Sequence, residues 1–147
     1  MIAYLVELLE DNPFQHAPYV LDLGTGNGHL LFSLLEAQEE LPSDALDPRR
    51  LCGVDYSSAS IDLARAIAEK RGDGCESIVF DEADLRDHER VARLKQDANA
   101  GEGWDIVCDK GTFDAVRVFC TDVRLRSRPS LCMANYLWIS TWRPLCN

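Results

Sequence analysis

At 147 residues the chain is long enough for one domain with a substantial core, and 46% apolar and 27% charged residues exclude a disordered polymer. A net charge of −10 disfavours non-specific nucleic-acid binding, because phosphates would be repelled. No apolar run of about 18 residues exists, so no membrane-spanning helix is expected.

The six cysteines form no C-x-x-C pair, and His16, His29 and His88 are scattered without zinc-ligand spacing, so no metal is expected. Cys52 and Cys108 lie in apolar runs where a thiol behaves as a small hydrophobe. The thiols read as reduced and the chain as intracellular.

In chain order, residues 2–10 place apolar side chains at 2, 5, 6 and 9, one face of a helix. Tyr19 to Leu23 is a short apolar run between Pro18 and Gly24, which predicts a buried strand. Leu30, Leu31, Leu34 and Leu35 give helical spacing over Gly28 to Glu40, and a Pro/Asp/Arg-rich loop follows. Leu51 to Asp55 is a second strand. Ser57 or Ser58 caps a helix with Ile61, Ala64, Ile67 and Ala68 on its buried stripe, and Gly72 ends it. Ser77 to Phe80 is a third strand, Arg86 to Ala98 a charged, exposed helix, and Trp104 to Cys108 a fourth strand. Alternation of this kind predicts parallel strands joined by crossover helices. Ligands of such sheets bind outside the carboxyl ends of the strands, where strand order reverses.

The chemistry-bearing residues fall at those ends. After the first strand comes Asp22-Leu23-Gly24-Thr25-Gly26-Asn27-Gly28. A glycine-rich turn lets backbone approach a ligand, and a helix N-terminus offers unpaired N–H donors. The G-x-G-x-G spacing is shorter than the G-x-G-x-x-G of dinucleotide folds. It suits S-adenosylmethionine, which has no pyrophosphate, with Asp22 holding the cationic amino group. Asp55, in Gly53-Val54-Asp55-Tyr56-Ser57, stands where a carboxylate accepts both ribose hydroxyls. Asp84, in Asp81-Glu82-Ala83-Asp84-Leu85, stands where a carboxylate accepts the exocyclic amine of adenine, with Asp81 and Glu82 as near alternatives. The candidate cofactor residues are therefore Asp22, Gly24, Thr25, Gly26, Gly28, Asp55, Tyr56, Asp84 and Leu85. After the fourth strand, Asp109 faces the reacting groups, and Lys110 and Asp114 are placed to pair across the turn.

Taken together, LDLGTGNG, GVDYS, EADL and CDKGTFDA resemble the lysine methyltransferases that modify eukaryotic translation elongation factor 1-alpha. The DKGTFDA stretch is the most specific part, and the likeness covers roughly residues 2–117. It implies a Rossmann-like three-layer α/β sandwich of the seven-β-strand methyltransferase type, S-adenosylmethionine as cofactor, a protein-lysine substrate and a cytoplasmic setting. It carries cofactor roles onto Gly24, Gly26, Asp55 and Asp84 and places Asp109 beside donor and acceptor. A carboxylate there stabilises an ammonium, so the role expected of Asp109 is to dock and orient the incoming lysine.

Residues 1–117 thus read as the cofactor-binding core, and residues 118–147 as a divergent tail. The tail carries four arginines and one aspartate, a net of +3, against −13 for the rest. It has no glycine, and only Tyr136 to Ile139 reads as an edge strand. Members of the family usually carry a segment ahead of the first helix, and further strands and helices past the fourth strand. Their lack reads as a sheet incomplete in its C-terminal half, either a truncated or mis-spliced product or a genuine divergent ending. The competing functional readings are a non-catalytic remnant that binds cofactor or a partner, a small-molecule methyltransferase, and a nicotinamide-dependent oxidoreductase, which the glycine spacing disfavours.

Overall fold

The computed structural model describes residues 1–11, 14, 16–98, 100, 103–110 and 137–139, with His88, Lys95, Asp97 and 137–139 described by backbone alone. The chain runs α1 (Ile2–Glu10), β1 (Val20–Leu23), α2 (His29–Glu36), β2 (Leu51–Asp55), α3 (Ser58–Arg71), β3 (Val79–Glu82), α4 (His88–Asp97), β4 (Ile106–Asp109) and β5 (Leu137–Ile139). The sheet order is β3-β2-β1-β4-β5. The first four strands are parallel and β5 pairs antiparallel with β4.

The order follows from the connections. Two crossovers carry the chain from β1 to β2 to β3 along one face, since α2 and α3 share a core layer. The third returns it past β1 to β4 on the other side. Strand order therefore reverses between β1 and β4, and the crevice above that point is where such sheets bind ligands.

Alternation along each strand divides the core between two layers. Val20, Leu51, Ile106 and Cys108 join Leu5, Leu9, Leu31, Leu34, Ile61 and Ala64 of α1, α2 and α3. Leu21, Leu23, Cys52, Val54 and Val107 face the other way, onto Leu94, Ala98 and Trp104. Two helical layers on a central sheet give the three-layer sandwich that the likeness implied.

Local signals set most boundaries. Ser57 caps α3, its hydroxyl accepting from the Ser60 amide at 3.3 Å, and Gly72 ends it at φ +66°. Several expectations shift. The second helix, expected over Gly28 to Glu40, spans His29–Glu36 and tightens into a 3-10 turn over Ala37–Glu40, and the fourth strand, expected over Trp104 to Cys108, spans Ile106–Asp109. The third strand starts at Val79, not Ser77, because Cys75–Ser77 closes into a 3-10 turn after Gly74, with the Ser77 amide bonded to the Gly74 carbonyl at 3.0 Å. Asp81 and Glu82 therefore belong to β3 itself. The fourth helix begins at His88, where the Asp87 carboxylate accepts from the amides of Glu89 and Arg90. It is not wholly exposed, since Leu94 is buried against β1 and β4. The strand expected at Tyr136–Ile139 spans Leu137–Ile139.

Candidate active site

The turn after β1 is built by its glycines. Gly24, Gly26 and Gly28 have φ of +70°, +57° and +80°, the left-handed region that side chains other than glycine rarely adopt. A Cβ on Gly28 would meet the rings of Phe32 and Phe80 at 2.8 Å, so this glycine also lets α2 close onto the sheet. A Cβ on Gly26 would meet nothing within 4 Å, so its backbone faces open space. The amides of Gly24 and Thr25 bond to the Val54 carbonyl at 2.8 and 2.9 Å, which fastens the turn to β2.

Asp55 ties the same turn from the side. One carboxylate oxygen accepts from the Gly26 amide at 3.0 Å and the other from the Ser57 amide at 2.9 Å. Its backbone carbonyl accepts from the Ala83 amide at 2.9 Å, bringing the loop after β3 alongside. The glycine turn, Asp55 and the Asp84 loop thus converge on three neighbouring strand ends, spaced about 4.8 Å apart as in any sheet.

Beside them lies an open cleft of about 1120 Å³. Its walls are Met1, Ile2 and Ala3 of α1, Asp22, Gly24, Thr25 and Asn27 of the first strand and turn, His29 and Leu30 of α2, and Lys110 after β4. Asp22 is only 3% exposed. Burial raises its pKa to about 7; the Thr25 hydroxyl and Lys110 act to lower it, and the charges of Asp109 and Asp55 raise it. Asp22 therefore titrates near neutrality at the cleft wall.

The remaining predicted residues are placed differently. Asp84 lies on the surface, gripped by Arg86: guanidinium nitrogens donate to its carboxylate at 2.6–3.1 Å, the Arg86 amide adds a bond at 2.9 Å, and these hold its pKa down to about 2. Leu85 packs on the core layer that contains Leu94, and Tyr56 is 77% exposed. Asp109 ends β4 opposite Leu23 and is wholly buried, and its neighbour Lys110 forms the cleft wall instead. The expected Lys110–Asp114 pair lies outside the described residues, because Asp114 does.

Sequence reasoning gave no site role to five participants. Asn27, His29 and Lys110 line the cleft. Gly53 makes room for Thr25, since a Cβ there would lie 2.6 Å from the Thr25 hydroxyl. Arg86 holds Asp84. Only Gly53 left a signal, a glycine inside an apolar strand, which marks a close approach.

Residues 16–127 match the family described as a methyltransferase domain. The chain belongs to the class I methyltransferase family. Over 111 residues the domain is 44% identical to protein-lysine N-methyltransferase efm4 of Schizosaccharomyces pombe, a stretch covering 75% of this chain and 40% of that protein. Over 116 residues it is 37% identical to protein-lysine N-methyltransferase EFM4 of Saccharomyces cerevisiae, covering 79% and 43%. The chain thus spans about two fifths of the length of these curated relatives. Coclaurine N-methyltransferase bound to N-methylheliamine and S-adenosylhomocysteine shares the fold at a TM-score of 0.50 and 20% identity, over 76% of this chain and 27% of that one.

The cofactor of this fold is S-adenosylmethionine, and the residues present fit it. The Gly26 backbone borders open space, the buried Thr25 hydroxyl has no hydrogen-bond partner, and the Asp22 carboxylate offers a seat for a cationic amine. No helix among the described residues is long and apolar enough to cross a membrane.

Proposed function

We propose that this chain is the cofactor-binding part of a cytoplasmic, S-adenosylmethionine-dependent protein-lysine N-methyltransferase whose substrate is translation elongation factor 1-alpha. The observation that carries the reading is the 44% and 37% identity to two fungal protein-lysine N-methyltransferases across the region that holds the site. The CDKGTFDA stretch supports the choice of substrate through its resemblance to enzymes that modify this factor.

In this reading Asp22 takes the ammonium of the cofactor's methionine moiety, Asp55 the ribose hydroxyls and Asp84 the adenine amine, while Gly24, Gly26 and Gly28 bring the backbone close. Bound there, S-adenosylmethionine supplies an electrophilic methyl group on a sulfonium. The protein's own task is chiefly alignment of the acceptor amine with that methyl group. Asp109 ends β4 opposite Leu23 and is wholly buried in the ligand-free chain, so its role of orienting the incoming lysine requires that substrate docking uncover it. Asp109 does not neutralise that amine: a lysine with a pKa near 10.4 costs about 4–5 kcal/mol to deprotonate at pH 7, and a carboxylate raises that cost. The proton leaves to water or to another acceptor.

Two measurements test this. Calorimetric titration of the full chain with S-adenosylhomocysteine should show binding, and none at millimolar ligand would sink the cofactor assignment. Incubation with recombinant elongation factor 1-alpha and radiolabelled S-adenosylmethionine should label lysine. Binding without labelling would instead favour a cofactor-binding protein without turnover.

A further inference from the structure

The outer edge of β3 is closed by side chains. Backbone groups alternate along a parallel strand, one residue turned to the neighbour on one side and the next to the other. The Asp55 carbonyl accepts from the Ala83 amide at 2.9 Å, so Ala83, and with it Val79 and Asp81, turn their backbone groups to β2. Phe80 and Glu82 therefore turn theirs away from the sheet. No strand lies beyond β3 among the described residues. Both outward carbonyls are nonetheless taken. Arg65 Nη2 donates to the Phe80 carbonyl at 2.7 Å, and Arg90 Nε donates to the Glu82 carbonyl at 3.2 Å.

The two arginines reach this edge from opposite layers. Arg65 belongs to α3, on the face where the Phe80 side chain packs. Arg90 belongs to α4, on the face where Val79 packs, and it also bonds the Asp81 carboxylate. A guanidinium suits the task, because its fork of donors can hold a carbonyl and a carboxylate together and its charge does not titrate away. The Arg65 side chain is 53% exposed, so packing of α3 on the sheet does not force it onto Phe80. An unguarded edge strand presents a row of backbone groups to any other strand that arrives, and charged side chains at the edge are one way of blunting it.

We propose that Arg65 and Arg90 are edge guards: they occupy the outward carbonyls of β3 and so keep this strand from pairing with the same edge of a second copy of the chain. Two copies joined in that way by a two-fold axis would set their β3 strands antiparallel. Such a pair forms only if each copy releases both guanidinium groups from their carbonyls. The proposal is independent of the cofactor reading.

The test uses the full chain with its thiols kept reduced. Sedimentation equilibrium over a range of concentrations should show the double variant Arg65→Ala/Arg90→Ala associating more tightly than the wild type. The expected gain in association constant is about ten- to a hundredfold for each guard removed, the worth of one hydrogen bond to a charged group. Amide exchange followed by NMR locates the contact: the amides of Phe80 and Glu82, on the outward edge, should gain protection as the concentration of the variant rises. Association no tighter than that of the wild type, or tighter association that leaves those two amides unprotected, would overturn the proposal. Should the double variant lose its far-UV circular dichroism, Arg65→Ala alone carries the test, since it leaves the Arg90–Asp81 pair in place. A gain of about tenfold or more is then expected, and its absence overturns the proposal equally.

Discussion

Replacing Asp22 with asparagine should stabilise the ligand-free protein, and the gain should depend on pH in a defined direction. Burial pushes the folded-state pKa of Asp22 up to about 7, against 3.8 for a solvent-exposed aspartate as in the unfolded chain. The folded state therefore holds its proton more tightly than the unfolded state does. Stability from this group is fully present below pH 3.8 and is lost as pH rises to about 7, after which the loss is constant. The window spans roughly three pH units at 1.36 kcal/mol each, so the full cost of the ionised form is about 4 kcal/mol. Asparagine is close in shape to the protonated acid and carries no charge. Urea unfolding of wild type and Asp22→Asn should give similar stabilities at pH 4. The variant should pull ahead through pH 5 and 6 and level off above pH 7 with a lead approaching about 4 kcal/mol. The same variant should bind S-adenosylhomocysteine more weakly, since a neutral amide cannot match a carboxylate against an ammonium. If the two stability curves stay parallel within about 1 kcal/mol from pH 4 to 8, Asp22 is not the buried acid described here.

Asp55→Ala removes two amide contacts and the expected ribose acceptor, and should weaken S-adenosylhomocysteine binding about ten- to a hundredfold by calorimetry. Gly53→Ala drives a methyl group into the Thr25 hydroxyl and the Phe80 ring, whose nearest atoms lie at 2.6 and 2.9 Å, and should cost about 1–3 kcal/mol in urea unfolding. Ser57→Ala deletes the side-chain cap of α3 and should cost about 1 kcal/mol by the same measure.

The parallel core was legible because each element carries its own periodicity and stop signal. Residues 2–10 and Leu51–Asp55 form the expected helix and strand at the expected bounds. The boundary errors have local causes. The 3-10 turn at Cys75–Ser77 satisfies backbone groups that a longer β3 would otherwise have paired, and charged neighbours masked the single apolar stripe of α4 around Leu94. At the site, the glycine turn and Asp55 could be read from their spacing after β1 and β2. The ionisation of Asp22 could not, because its burial depends on the tertiary packing around β1. Nor did the loop sequence indicate that Arg86 would fold back on Asp84, an arrangement set by side-chain rotamers.

The position of β1 at the middle of the parallel sheet has a consequence for synthesis. Its partner on one side, β2, emerges soon after it, but the other edge waits for β4; the Tyr19 amide meets the Asp105 carboxylate across 86 residues of chain. The β4 side of the crevice, where Lys110 stands on the cleft wall, is therefore lacking until most of the domain has left the ribosome. Contacts so distant in sequence form slowly. Nascent chains stalled before residue 105 should accordingly fail to retain S-adenosylhomocysteine on a ligand resin, while chains released with β4 in place should hold it.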